Sequence, residues 1–125
     1  MGRIRLDIKI NGRKLWTLFD SGARNSYVVK RAAKKLDRFD LPAPKSTALG
    51  GKEHKVTQIC VVMADINGRP VDFHANVIDE IGHDEDGREI EVLFGALAMQ
   101  EWGIRLDLQN EQLDLSRYTR EFVEF

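Results

Sequence analysis

Residues 3–10 alternate polar and apolar side chains, and this alternation limits what the chain can fold into. Apolar residues stand at every second position from 4 to 10, which is the period of a β-strand with one buried face. Asn11-Gly12 follows directly, and this pair is typical of a two-residue turn between antiparallel strands. A second apolar stretch covers residues 15–19. The pattern predicts an N-terminal β-hairpin.

The same signals recur further along the chain. Residues 56–66 are rich in Val and Ile, Asn67-Gly68 predicts a second hairpin turn, and alternation resumes over residues 71–77. The chain is therefore predicted to be mostly β. Further strands are predicted over residues 90–94, 104–108 and 113–115, with a turn at Asn110-Glu111.

Two short helices are also predicted. Ser26 suits the N-cap of a helix that continues to Leu36 with apolar residues on one face. Residues 96–102 suit a second helix, and Gly103 would end it. Loops are predicted at Pro42 and Pro44 and over the acidic residues 79–89, whose role the sequence leaves open.

The 125 residues contain no linker or change of composition, so we predict a single domain over residues 1–125. The chain has 19 Lys and Arg against 20 Asp and Glu, and this balance argues against a nucleic-acid-binding protein. No apolar run reaches the roughly 20 residues that span a bilayer, and no signal peptide is visible. A cytoplasmic location is expected, either as a separate protein or as a domain of a longer, membrane-anchored one.

The order of elements repeats faintly within the chain. Ile10-Asn11-Gly12-Arg13 recurs as Ile66-Asn67-Gly68-Arg69. Each copy leads to an apolar strand that ends in Phe and a loop residue, Leu18-Phe19-Asp20 and Leu93-Phe94-Gly95, and a helix-like segment follows each. This repetition indicates two structurally related halves.

The motif Asp20-Ser21-Gly22-Ala23 is the main indication of chemistry. It follows an apolar strand and precedes a helix-like segment. Gly allows a tight turn beneath the carboxylate, and the Ser hydroxyl can fix the loop by hydrogen bonds, as half of an aspartic protease site requires. An Asp and a Gly at a strand end also suit an ordinary turn, and about one chain in twenty of this length would contain such a tripeptide by chance.

With these residues the chain resembles the retropepsin-like aspartic proteases, the single-domain retroviral type with cellular and bacterial relatives. The resemblance extends over residues 4–115 and implies an all-β, closed barrel-like retropepsin fold with one or two short helices. It rests on three segments in the family's order: Leu18-Phe19-Asp20-Ser21-Gly22-Ala23, the flap-like turn Leu49-Gly50-Gly51-Lys52, and Val92-Leu93-Phe94-Gly95.

Two positions depart from the retroviral pattern. Retroviral members usually have an acidic residue two positions after the motif glycine and an Arg just after the second-half glycine, and the two pair to brace the dimer. Here these positions are Arg24 and Ala96. We therefore expect the bacterial-type relatives to be the closer comparison.

The resemblance implies an aspartic endopeptidase that acts as a homodimer. The mechanism needs two carboxylates, but the sequence has one such motif and carries Gly95 at the matching second-half position, so each chain would supply one Asp20. Ser21, Gly22 and Ala23 would support it, with Phe94 and Gly95 as the second-half loop. Leu49, Gly50, Gly51 and Lys52 would form a flap over an extended polypeptide. The resemblance implies no metal or cofactor, and a mildly acidic pH optimum.

Other interpretations stay open at this point. The same fold can serve as a dimerisation or peptide-binding module with little or no turnover, and Gly50-Gly51 also suits an ordinary turn. The apolar residues of the tail 117–125, or the N-terminal strand, are predicted to contribute to the dimer. Asp84, Asp86 and Gly87 resemble part of a calcium loop, but the register fails at both ends. Cys60 lies in an apolar stretch and is expected to be a buried structural thiol.

Overall fold

The structure is a computed structural model, and it describes residues 2–121. The described part of the chain contains nine strands and two short helices. In chain order they are β1 (Arg3–Ile10), β2 (Arg13–Asp20), β3 (Tyr27–Val29), α1 (Lys30–Ala33), β4 (Asp37–Leu49), β5 (Lys52–Ile66), β6 (Arg69–Ile78), β7 (Val92–Phe94), α2 (Ala96–Trp102), β8 (Arg105–Asp107) and β9 (Gln112–Asp114).

Seven of these strands form one sheet in the order β1-β2-β7-β3-β6-β5-β4. Strand β1 also pairs with β5, through Lys9 with Asp65 and Ile10 with Ala64. Six strands therefore form a ring, with β4 paired to the outside of β5. The all-β prediction is confirmed, although only two residue pairs close the ring, so it is not a complete barrel. Strands β8 and β9 form a separate two-stranded sheet.

Both Asn-Gly pairs form the predicted hairpin turns. Asn11 and Gly12 have φ values of 50° and 76°, and Asn67 and Gly68 have values of 51° and 85°. A two-residue turn of this type requires positive φ at both positions, which Asn and Gly adopt most easily. The first turn aligns all eight residues of β1 with β2 and places Asp20 opposite Arg3.

The aromatic centre of the core joins the two halves of the chain. Phe19 and Phe94 are fully buried, with ring centroids 5.0 Å apart, and Phe73 meets Phe94 edge-on at 4.8 Å. Each fully buried Phe contributes about 1.5–3 kcal/mol of hydrophobic free energy. Strands β2 and β7 run parallel with Phe19 beside Phe94, so Asp20 and Gly95 follow at neighbouring strand ends. This arrangement agrees with the repetition in the sequence.

The prediction of a helix from Ser26 to Leu36 is mostly wrong. Residues 27–29 form β3, which pairs with β6 and β7 inside the ring, and α1 contains only four residues. Val28 and Val29 are β-branched, fit a pleated sheet well and are buried there. Ser26 does not cap α1; its hydroxyl accepts a hydrogen bond from the Gly95 N–H instead.

The prolines do not form the predicted loop. Strand β4 continues from Asp37 to Leu49, and the register of its pairing with β5 shifts between Asp40 and Lys45. Pro42 and Pro44 lie in this irregular stretch. Because β4 is an edge strand, a residue without an N–H donor is tolerated there. Residues 79–89 do form a loop, apart from one isolated bridge between His83 and Glu89.

The second predicted helix is confirmed as α2, and Gly103 ends it with φ of 67°. After β9, Tyr118 packs on its own chain: its ring stacks on Trp102 at 6.1 Å, and its hydroxyl donates to the Pro70 carbonyl at 2.6 Å. The contribution of residues 117–125 to a dimer stays a prediction, since residues 122–125 lie outside the described part. Within residues 2–121, no helix is long and apolar enough to cross a membrane.

Candidate active site

The Asp20 carboxylate lies at the end of β2 and is held from two sides. Its side chain is 9% exposed. The N–H of Gly22 donates to Oδ1 at 2.8 Å, and the Nε of Arg3 lies 3.4 Å from Oδ2. A backbone donor two residues away fixes the rotamer of the carboxylate, because the loop itself would have to move for the side chain to turn.

The loop of residues 20–23 is tied to the start of the chain. The Ser21 N–H donates to the Gly2 carbonyl at 3.2 Å, and the Gly2 N–H donates to the Ser21 hydroxyl oxygen, also at 3.2 Å. The Ala23 N–H donates to the Asp20 carbonyl at 3.2 Å and closes the turn. The Ser21 side chain is therefore tied to the backbone of Gly2, and its supporting role in a catalytic loop stays a prediction.

The second-half loop packs directly against the Asp20 loop. The Ala96 N–H donates to the Ala23 carbonyl at 2.7 Å, and the Leu97 N–H donates to the Arg24 carbonyl at 3.1 Å. A Cβ atom on Gly95 would lie 2.2 Å from the Asn25 carbonyl oxygen, so only glycine fits. Gly95 thus allows two backbone segments to touch, whereas Phe94 belongs to the core.

A cavity of about 590 Å³ opens above Asp20, and we call it the cleft. Asp20, Gly22 and Ala23 lie on one side of it, and the tip of the β4–β5 hairpin lies on another. Residues 81–83 of the acidic loop also line the cleft. Among the described residues that line it, Asp20 is the only carboxylate. The fold therefore brings the motif and the predicted flap to one cavity.

The hairpin tip is only partly inside the cleft. Leu49 and Gly50 line it, whereas Gly51 and Lys52 do not, and Lys52 Nζ instead pairs with Glu80 Oε1 at 2.7 Å. This pairing raises the pKa of Lys52 and lowers the pKa of Glu80. Gly50 and Gly51 have φ values of 59° and 78°, which favour glycine at both positions.

Sequence reasoning missed several residues of the cleft. Tyr27 lies on its floor, and its hydroxyl is 2.8 Å from Thr47 Oγ1, so this hydrogen bond joins the floor to the hairpin. Neither residue carried a signal, because the contact depends on the long-range pairing of β3. The sequence did carry a signal for Arg3, which lies as many residues before the Asn11-Gly12 turn as Asp20 lies after it. The register of the hairpin therefore predicts that Arg3 and Asp20 face each other, as they do in the structure.

The acidic loop is anchored to the outer face of the first hairpin. Trp16 Nε1 donates to Asp84 Oδ2 at 2.9 Å, Arg5 pairs with Glu85 at 2.6 Å, and Arg88 pairs with Asp7 at 2.9 Å. The pKa of Asp84 is lowered chiefly by the hydrogen bond from the Arg88 backbone N–H and further by Trp16. These contacts fix residues 81–83 as a wall of the cleft.

Cys60, which the sequence places in an apolar stretch, lies away from the cleft. Its side chain is fully buried on β5, and burial raises its pKa to about 11. A thiol in this state is a poor nucleophile at neutral pH. The structure therefore agrees with a structural role for this cysteine.

Comparison of the sequence with protein-family models and with curated proteins finds no match. Solved structures do match. The retroviral protease-like domain of Ddi1 from Leishmania major has a TM-score of 0.67 and 18% identity, over 93% of this chain and 90% of that domain. The EIAV protease in complex with the inhibitor HBY-793 has a TM-score of 0.62 and 18% identity, over 86% of this chain and 94% of that protease.

This chain has the retropepsin fold. The fold prediction is confirmed, whereas the expected closeness to bacterial-type relatives stays a prediction. In this retropepsin fold the Asp20 loop and the Gly95 loop follow the ends of the parallel strands β2 and β7. The Asp20 loop has a carboxylate at the position where the other loop has Gly95, which has no side chain. A single chain thus offers one rigidly held carboxylate in a cleft, which is half of what a paired-carboxylate hydrolysis needs.

Proposed function

We propose that this protein is an aspartic endopeptidase and acts as a homodimer in which each chain contributes one Asp20. The observation that carries the proposal is the position of the Asp20 carboxylate. It accepts the Gly22 N–H at 2.8 Å and is the only carboxylate among the described residues that line the cleft. A second copy of the chain would then supply the second carboxylate across a two-fold axis beside Asp20.

The chemistry of such a pair needs no covalent intermediate. One Asp20 is ionised and takes a proton from a bound water, whose oxygen attacks the carbonyl carbon of the peptide bond. The other Asp20 is protonated and donates a hydrogen bond to the carbonyl oxygen, because two adjacent carboxylates do not both ionise. The C–N bond then breaks as the amine nitrogen accepts the proton that the first Asp20 took from water, and this Asp20 is ionised again.

The surface beside the Asp20 loop supports a dimer. A cavity of about 410 Å³ lies there, between Gly2 and Ser21 on one side and α2 with Leu108 on the other. Leu108 is 53% exposed, and Leu97 at the start of α2 is 48% exposed. Exposed leucines next to the catalytic loop suit burial against a second copy. The departures Arg24 and Ala96 imply that this contact is apolar rather than braced by an ion pair.

The substrate would be a polypeptide in extended conformation, bound between the hairpin tip and the Asp20 loop. An extended peptide adds to exposed backbone groups like a further strand, and the side chains of the cleft select its residues. Gly50 and Gly51 give the hairpin tip the freedom to close over the peptide, as expected of a flap.

The test compares the parent protein with Asp20→Asn and with the control Asp72→Asn, which changes an exposed carboxylate outside the cleft. Each is incubated with an unfolded protein from about pH 3.5 to 7.5, and the fragments are identified by mass spectrometry. Fragments from the parent and Asp72→Asn, but not from Asp20→Asn, are the expected result. Activity retained by a folded Asp20→Asn variant would contradict the proposal.

A second candidate is a peptide-binding or dimerisation module without turnover. The contact that favours it is the Arg3 guanidinium, 3.4 Å from Asp20 Oδ2, because this group occupies one oxygen of the carboxylate that the mechanism leaves open to water and to the second Asp20. Analytical ultracentrifugation, which measures the oligomeric state, distinguishes the two candidate functions further. A protein that stays monomeric at high concentration would favour the module, and a dimer that cleaves would favour the peptidase.

A further inference from the structure

The charged side chains that line the cleft are mainly basic. They are Arg3 and Arg24, with His83 as a further titratable group, and Asp20 is the only acidic one among the described lining residues. On the acidic loop, Asp79 pairs with Lys30 and Glu80 pairs with Lys52, each at 2.7 Å. Asp84, which follows His83, lies outside the cleft lining and accepts hydrogen bonds from Trp16 Nε1 and the Arg88 N–H. The cleft therefore presents an excess of positive charge to whatever enters it.

Arg24 is the cation best placed to contact a ligand. It directly follows the Asp20 loop, and its backbone is fixed because its carbonyl accepts the Leu97 N–H at 3.1 Å. The residue is exposed, and within residues 2–121 no carboxylate lies within ion-pair distance of its guanidinium. A guanidinium on a rigid loop without a partner has a full set of donors for a carboxylate, which it binds with two parallel hydrogen bonds.

Arg3 adds to the same field from the opposite strand. Its Nε lies 3.4 Å from Asp20 Oδ2, and 60% of its side chain is exposed. In the described part of the chain, Asp20 is the only carboxylate that pairs with Arg3. The positive charge thus extends on both sides of Asp20.

We propose that the cleft selects polypeptides that carry an Asp or Glu side chain close to the bond above Asp20, and that Arg24 is the residue that recognises this carboxylate. The inference rests on the proposed function for the position of the peptide. In a two-fold dimer the second Arg24 lies at the symmetric position, so the preference would appear on both sides of the bond. The free C-terminal carboxylate of a peptide could bind Arg24 in the same way. The test therefore distinguishes a C-terminal carboxylate from the carboxylate of an Asp or Glu side chain.

The test uses matched peptides that differ only by Glu or Gln at one position at a time, each made with a free or an amidated C-terminus. Binding is measured by fluorescence anisotropy in Asp20→Asn, so that no peptide is consumed, and again in Asp20→Asn with Arg24→Gln. Asp20→Asn with Lys34→Gln is the matched control, because it removes one exposed positive charge outside the cleft. The parent protein is assayed for cleavage of the same peptides.

We expect Glu to improve affinity about tenfold over Gln at one or two positions, whether or not the C-terminus is amidated. Arg24→Gln should remove most of this preference, and Lys34→Gln should keep it. Equal binding of Glu and Gln peptides, or a preference that depends only on the free C-terminus, would overturn the inference, and so would a preference that survives Arg24→Gln. Cleavage without a Glu preference contradicts the inference alone, whereas Glu-dependent binding without cleavage contradicts only the proposed peptidase.

Discussion

Arg3 and Asp20 face each other across the first hairpin, with Nε of the arginine 3.4 Å from Oδ2 of the carboxylate. The carboxylate is 9% exposed, whereas 60% of the arginine side chain is in solvent. The arginine therefore approaches a buried acid from the solvent side, while the Gly22 N–H holds the other oxygen from inside the loop. The backbone contact fixes the geometry of Asp20, and the arginine mainly sets its electrostatic surroundings.

Replacing Arg3 by Gln tests this division of roles. We expect the free energy of unfolding to fall by less than about 1 kcal/mol, since ion pairs with a mostly solvated partner contribute little. Urea denaturation of the parent, Arg3→Gln and Arg3→Lys measures the change. A loss above about 2 kcal/mol would show that Arg3 is needed to hold the buried carboxylate, against this expectation.

Gly95→Ala tests the contact between the two loops. Its Cβ would lie 2.2 Å from the Asn25 carbonyl oxygen, although its φ of −91° suits any residue, so the cost is a backbone clash rather than strain. We expect a loss of stability above about 2 kcal/mol. Gly87→Ala is the control: it has open space and a φ of 80°, and strain alone should cost about 1 kcal/mol. Equal losses in the two variants, measured by urea denaturation, would contradict the close approach.

Local sequence signals predicted the hairpins and the motif, because Asn-Gly turns and period-two alternation act over a few residues. The same signals failed at residues 27–29, where three residues join the ring only because β6 and β7 lie on either side of them. The wall of the cleft at residues 81–83 was likewise invisible, since contacts between distant residues such as Trp16 and Asp84 position it. Long-range pairing therefore decided what local patterns left open.

The glycines at the hairpin tip are expected to matter for activity more than for stability. Gly51 has φ of 78° and open space around it, so Gly51→Ala should cost about 1 kcal/mol of stability through strain. If the tip closes over substrate as proposed, stiffening it should lower kcat/KM at least tenfold. Gly12→Ala, with a similar φ of 76° in the first hairpin turn, is the matched control. Equal kcat/KM in both variants would show that the tip has no special part in turnover.

Asp84 links stability to pH through the acidic loop. Its folded pKa lies below its ordinary value, chiefly because the Arg88 N–H donates to it and further because of Trp16. A group with a depressed folded pKa stabilises the folded state fully at pH values above its unfolded pKa. This stabilisation is lost as the pH falls through the lowered, folded pKa. Asp84→Asn should therefore lower the Tm at about pH 7. It should also make the difference between the Tm at about pH 7 and the Tm at about pH 3 smaller than in the parent. Thermal unfolding at both pH values measures this, with Asp72→Asn as the control on an exposed carboxylate. A Tm difference in Asp84→Asn as wide as that of the parent would show that the loop contacts do not depend on the charge of Asp84.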